Sequence, residues 1–349
     1  MLDDPAAIRK IDRSDILSVM ERMPERLVLA PDAGSTCHLS VDRPANVVFG
    51  GVGGSGIVGD ILSDYCRDAI QTPVAVCRSV RIPRFVGAKT LFVAISYSGE
   101  TTETLDMLEQ AKHAGSSLAA VCSGGKLLSK ARAEHIPYVK VPAAMIPRLA
   151  LPELLAAASH TLAAANILQD CRTLLEGARR SVREQINNVK VSVNLNQNMA
   201  KQMAAALVDK LPLLIGNEEN ISVLRRFKNE LNENSKVPAF FYTLPEAFHD
   251  DIEGLKVLNQ LSRPQPILLR ADRETEAEKR TGKKLVEQLS ELGFPPALHF
   301  SGLGEDRLGW LLSAIVFADY AATYLSLLRG IDPTELFSIP GFRAIRGQV

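Results

Sequence analysis

Cysteine is too scarce and too scattered to hold this chain together. Its five cysteines (Cys37, Cys66, Cys77, Cys122 and Cys171) are odd in number and include no Cys-x-x-Cys pair. That excludes a disulfide framework and a cysteine zinc site, and it fits a reducing cytoplasm. His38, His113, His135, His160 and His299 fall at no metal-ligand spacing. An excess of one charge is missing too: forty basic and forty acidic residues give a formal net charge of +0, so no nucleic-acid or membrane-surface partner is expected. The N-terminal Met1-Leu2-Asp3-Asp4 opens with acid and has no apolar core, so it does not read as a signal peptide.

One long apolar run is present, from Leu308 to Leu328, bounded by Arg307 and Arg329. Its length would span a bilayer. Asp319 near its middle costs about 2.5–3.5 kcal/mol on insertion, and Ser313, Thr323 and Ser326 dilute it further, so a buried helix at an interface is expected instead. With 349 residues and 46% apolar composition, the chain can build two cores.

Strand-like and helix-like patterns alternate, which indicates α/β layering with parallel sheets. In the first half, strands are predicted at 46–49, 73–76, 91–95, 117–121 and 138–141, with helices at 57–65, 104–113 and 127–133. The second half repeats the order, with strands at 211–217, 266–269 and 296–300 and helices at 221–231 and from about 275 to 292. This reads as an internal duplication. Residues 149–206 read as two or three helices, with Asn194-Leu195-Asn196-Gln197-Asn198 as a turn. The domains are placed at 1–150, including a helical extension over about 1–30, and at 151–349, which comprises the helical connection, the second α/β domain and a helical tail.

The chemistry concentrates after the strand Leu91-Phe92-Val93-Ala94, in Ile95-Ser96-Tyr97-Ser98-Gly99-Glu100-Thr101-Thr102. Hydroxyls and backbone amides at a helix N-terminus favour an anion. The loop holds no Lys or Arg, and the lysine-bearing P-loop pattern is absent, so a sugar monophosphate suits it better than a metal-bound triphosphate. The duplicate loop carries Asp272, Arg273 and Glu274 in place of Ser and Thr, so only the first half keeps a phosphate cradle. The other rich stretch, Gly50-Gly51-Val52-Gly53-Gly54-Ser55-Gly56, resembles a dinucleotide fingerprint. That pattern also needs an acid at the end of the next strand, where this chain has Cys77-Arg78-Ser79. The glycines fit either close approach of backbone to a sugar, with Ser55 donating, or a purely structural tight turn.

Gly50–Gly56, Ser96–Thr101, Pro147-Arg148-Leu149-Ala150-Leu151, Asn232-Glu233-Asn234-Ser235-Lys236 and His249 resemble, in this order, motifs of the bifunctional phosphoglucose/phosphomannose isomerases of the sugar isomerase (SIS) superfamily. The resemblance runs from about Ala45 to the C-terminus. It implies two SIS-like doubly wound domains, each a parallel sheet flanked by helices, and a homodimer with the active site at the subunit interface. It implies interconversion of an aldose 6-phosphate with fructose 6-phosphate through a cis-enediol, with no metal or redox cofactor. By motif match Glu233 would be the base and His249 would assist ring opening, while Gly54, Ser55, Ser96, Ser98, Thr101 and Arg148 would bind the phosphate and nearby hydroxyls. Taken alone, Glu233 reads as a solvated acid on a polar helix end. One departure stands out: the family's tail lysine, counted from Asp332-Pro333, falls here on Arg343, and no lysine follows Lys284. Arginine keeps the charge but is a poorer proton donor. A sugar-phosphate-binding regulatory protein that has lost its chemistry is the competing expectation.

Overall fold

The computed structural model describes residues 1–28, 43–143, 145–271, 274–339 and 341. Three short helices open the chain: α1 (Pro5–Ile11), α2 (Ile16–Glu21) and α3 (Met23–Arg26). There follow β1 (Asn46–Gly50), α4 (Gly53–Ala69), β2 (Val74–Cys77), β3 (Thr90–Ile95), α5 (Thr102–His113), β4 (Ser117–Cys122), α6 (Gly125–Ala133) and β5 (Tyr138–Lys140). Three helices come next, α7 (Leu151–Ala164), α8 (Cys171–Val189) and α9 (Met199–Ala206). The second series is β6 (Leu211–Asn217), α10 (Ile221–Glu233), β7 (Phe240–Leu244), α11 (Asp251–Leu261), β8 (Pro264–Leu269), α12 (Glu276–Glu291), β9 (Leu298–Phe300) and α13 (Arg307–Leu328).

Packing divides the chain into two compact units. One contains Arg22–Arg179 and is built on a five-stranded sheet of order β2-β1-β3-β4-β5; the other joins Met1–Glu21 to Arg180–Glu335 around a sheet of order β7-β6-β8-β9. Every pairing is parallel. The second sheet repeats the first four strands of the first in the same spatial order, as the duplication predicted.

In the first unit β3 is buried at every position, because helices cover both faces of a parallel sheet. Met107, Leu108 and Ala111 of α5 and Leu127 and Ala131 of α6 pack against Val48, Phe92 and Ala120 of the sheet. The expected cut after residue 150 is not where packing separates the chain. Leu154, Leu155 and Leu162 of α7 are buried, and that helix packs on α4, β4 and β5, so the division falls within α8. Residues 1–21 also belong to the second unit, where the Asp3 carboxylate accepts hydrogen bonds from the Leu195 amide at 2.9 and 3.1 Å and from Lys201 Nζ at 2.8 Å.

In the second unit the sequence pattern missed β7 and α11. β7 is an edge strand whose residues are mostly half-exposed, so it lacks the apolar contrast that marks a buried strand. The Leu308–Leu327 run of α13 is buried throughout, against α9 and α10. By length and composition α13 could cross a membrane, yet it is the central helix of its own unit, apolar on all sides for that reason. Asp319 is accounted for: it takes Arg226 Nε at 2.8 Å and Nη2 at 2.9 Å.

Candidate active site

In a doubly wound sheet of this strand order, the crevice opens where β1 and β3 lie side by side and their loops diverge. The glycine run follows β1, and the hydroxyl loop follows β3. Five of the predicted phosphate-binding residues lie on these two loops, and Arg148 comes against them from a third segment.

Ser96 is buried and shares a 2.9 Å hydrogen bond with the Thr101 hydroxyl, while its Oγ accepts the Gly99 amide at 3.1 Å. Thr101 is the N-cap residue of α5, but its side chain does not cap the helix. The first turn is therefore open to an anion, with the helix dipole behind it. Ser98 is exposed and its hydroxyl accepts the Glu100 amide at 3.2 Å. Ser55 Oγ accepts the Tyr97 amide at 3.2 Å, which joins the two loops directly. Arg148 sits buried in the 3-10 turn Pro147–Ala150. A Cβ added to Gly54 would lie 3.5 Å from Arg148 Cα, so the start of α4 and the Arg148 turn are close neighbours.

Several positioning residues escaped sequence reasoning. Gly99 has φ +71°, and a Cβ there would meet the Gly124 carbonyl at 1.9 Å, so the loop after β3 can lie on the loop after β4 only with glycine at 99. That contact is laced by Ser123 Oγ to the Tyr97 carbonyl at 2.6 Å, the Leu127 amide to the Gly99 carbonyl at 2.9 Å, and the Lys126 amide to Glu100 Oε1 at 2.9 Å. The Tyr97 hydroxyl donates to the Pro142 carbonyl at 3.2 Å and accepts the Met145 amide at 2.9 Å. This fixes the segment leading to Arg148, and burial raises the Tyr97 pKa. Arg26 grips Glu153 at 2.5 and 2.8 Å and donates to the Leu149 carbonyl, anchoring the turn that carries Arg148. Arg78, where a dinucleotide site would have an acid, pairs with Asp60 and donates to the Gly56 carbonyl at 2.9 Å. The cation thus stiffens the glycine turn.

The proposed chemical residues lie in the second unit. Glu233 is half-buried as the last residue of α10. Its neighbours are locked: Asn234 Nδ2 donates to Glu230 Oε2 at 2.8 Å, and Ser235 Oγ donates to the Ala322 carbonyl of α13 at 2.6 Å. Glu230, the nearby acid, is buried and committed to Arg226 at 2.9 Å. Opposing carboxylates, Asp319 first and then Glu230 and Glu233, outweigh the burial penalty and keep Arg226 charged, its pKa above its ordinary value. His249 is exposed, at the end of the 3-10 turn Glu246–Phe248 that follows β7, and its amide donates to the Glu246 carbonyl at 2.8 Å. Glu233 and His249 therefore stand on different loops, one after the helix that follows β6 and one after β7. Arg343 lies outside the described residues.

The duplicate loop after β8 is closed by its own side chains. Thr275 and Glu278 form a reciprocal capping box at the start of α12, and Asn217 donates to Glu278 Oε1 at 2.9 Å. Arg270 is held by Glu274 at 2.9 and 3.1 Å. Two carboxylates occupy the helix start where the first unit presents hydroxyls, so this end repels a phosphate.

Residues 196–344 match the family model of the bacterial phospho-glucose isomerase C-terminal SIS domain. The chain is 28% identical to a bifunctional phosphoglucose/phosphomannose isomerase of Caldicellulosiruptor bescii, over 91% of this chain and 94% of that one. It is also 28% identical to a D-glucosamine-6-phosphate 4-epimerase of Sulfolobus acidocaldarius, over 89% and 92%. Among solved structures, a glucose-6-phosphate isomerase like protein from Thermus thermophilus superposes with a TM-score of 0.66 at 16% identity, covering 100% of this chain and 99% of that one. Two parallel sheets flanked by helices, with hydroxyl-bearing loops at the first switch point, define a SIS-type α/β protein. Over most of its length the chain is similar to proteins named bifunctional phosphoglucose/phosphomannose isomerase, the family whose motifs its own motif order resembles.

Proposed function

We propose that this protein is an aldose–ketose isomerase that interconverts glucose 6-phosphate, and mannose 6-phosphate, with fructose 6-phosphate. The observation that carries the reading is the Ser96–Thr101 hydroxyl pair at the start of α5, with buried Arg148 brought in by its own anchored turn. Neutral donors bind the phosphate oxygens and Arg148 supplies the opposing charge. Glu233 takes the C2 proton of the open-chain aldose while the C1 carbonyl oxygen gains a proton, giving a cis-enediol. Return of a proton to C1 and loss of the O2 proton leave the C2 ketone. The C2 proton's departure from either face gives access to both epimers. His249 exchanges a proton with the ring oxygen during opening, and Arg343 in the tail supplies a cation near that oxygen. The same reading makes the active species a cytoplasmic homodimer with its sites at the subunit interface, which light scattering would test.

A coupled assay with glucose 6-phosphate, mannose 6-phosphate and fructose 6-phosphate tests the activity. In that assay Glu233→Gln keeps sugar-phosphate binding and loses turnover by orders of magnitude, because the amide preserves shape but accepts no proton. Near-normal turnover would remove Glu233 from the mechanism. Parent protein that binds sugar phosphates without isomerising them would favour the regulatory reading, for which the arginine in place of the tail lysine speaks.

A further inference from the structure

The second unit contains a cavity of about 440 Å³ that the proposed chemistry does not use. It opens at the C-terminal ends of β8 and β9, the edge of an α/β sheet where ligands bind, and its volume lies in the small-molecule range. Gln185 of α8 lines it. That residue is 5% exposed, and its carboxamide makes no hydrogen bond to the described residues, so its donor and acceptor are left for a molecule in the cavity. Asn188, Gln197 and His299 also line it, as do Phe300 and Phe317, whose rings stack at 5.3 Å.

The chemistry of the lining selects among ligands. Each carboxamide offers a donor and an acceptor, as does a neutral imidazole. Burial first, and then Arg270, push the His299 pKa below its ordinary value, which favours the neutral ring. Arg270 is the cation on the rim, and its guanidinium already faces the Glu274 carboxylate. Such a lining has little to offer a multiply charged phosphate. It matches a ligand whose groups both donate and accept and whose other face is apolar. We propose that this cavity is a second, non-catalytic site for an unphosphorylated sugar ring, held by Gln185, Asn188 and His299 through hydroxyls and by the apolar lining through its C–H face.

The test uses the full chain with inorganic phosphate present, and methyl α-D-glucopyranoside as the probe, because this glycoside cannot open and carries no phosphate. Saturation-transfer NMR and calorimetric titration should show binding by the parent protein. Gln185→Leu, nearly isosteric, and His299→Ala, at an exposed position, should each weaken it by about tenfold, the value of one good hydrogen bond. Unchanged sugar-phosphate isomerisation in both variants would separate this site from the catalytic one. No binding by the parent protein, or equal binding by both variants, overturns the proposal. So does preferential binding of adenosine in competition, which would make the cavity a nucleoside site. A change of oligomeric state in the variants without loss of probe binding would make it a protein interface and equally overturn the proposal.

Discussion

The ammonium group of Lys236 donates to the main-chain carbonyl of Glu233 at 2.5 Å. A second bond reaches the Glu335 carbonyl at 2.6 Å, so one cation ties the end of α10 to the segment after α13. The geometry requires Lys236 to sit at φ +56°, a conformation that costs a non-glycine residue energy. The cation also lies where the dipole of α10 is negative. Lys236→Met should therefore lower kcat by roughly tenfold to a hundredfold while KM changes little, as expected when a reacting group is displaced by about an ångström. Lys256→Met, at an exposed site on α11, is the control. Amide exchange should rise together at residues 234–237 and 332–336 in the Lys236 variant. An equal rise in KM with constant kcat would assign the lysine to substrate binding instead.

The phosphate loop separates two kinds of hydroxyl loss. Thr101→Val removes one donor and should raise KM by about 0.5–1.5 kcal/mol in free-energy terms. Ser96→Ala removes a buried hydroxyl that also receives the Gly99 amide at 3.1 Å, so it should cost more and weaken inhibition by inorganic phosphate further. Steady-state kinetics with phosphate as competitor check the order of the two variants.

Asp319 and Arg226 form a buried bidentate pair in the second unit, with side chains 10% and 2% exposed. Asp319→Asn leaves the guanidinium charged and only partly neutralised by Glu230, and should cost about 3–5 kcal/mol of stability. Urea unfolding measures it. Replacing both partners with apolar residues of similar volume should recover much of the loss, because removing one charge alone is what leaves the other exposed to a low dielectric.

Acid should act on the first unit through His160 of α7. Burial, and then Arg172, hold its pKa below the ordinary value of 6.5. The unfolded chain binds a proton that the folded chain refuses, so the stabilisation is present above about pH 6.5 and is lost as pH falls toward the depressed value. His160→Gln should flatten that decline. Urea midpoints taken across the range would show it, and an unchanged slope would place the acid sensitivity elsewhere.

The strand pattern, the duplication and the hydroxyl-rich loop were legible in the sequence because each is local. Apolar runs mark buried parallel strands, and a burst of Ser and Thr before an amphipathic run marks a helix start that can take an anion. The replacement of those hydroxyls by charged residues in the second copy was equally plain in Glu274 and its neighbours. What the sequence could not decide depends on long-range packing. Nothing in Leu151–Ala164 says which sheet its leucines cover, so the boundary at residue 150 came too early. Nothing around Asp3 announces that its carboxylate will reach Lys201, about two hundred residues on. Edge strand β7 is too exposed to stand out. Arg78 and Arg26 are ordinary surface cations until folding sets them against Asp60 and Glu153. Residue type and spacing determined which groups can bind phosphate or move a proton; only the tertiary structure decided which neighbours hold them in place, because those neighbours are far away along the chain.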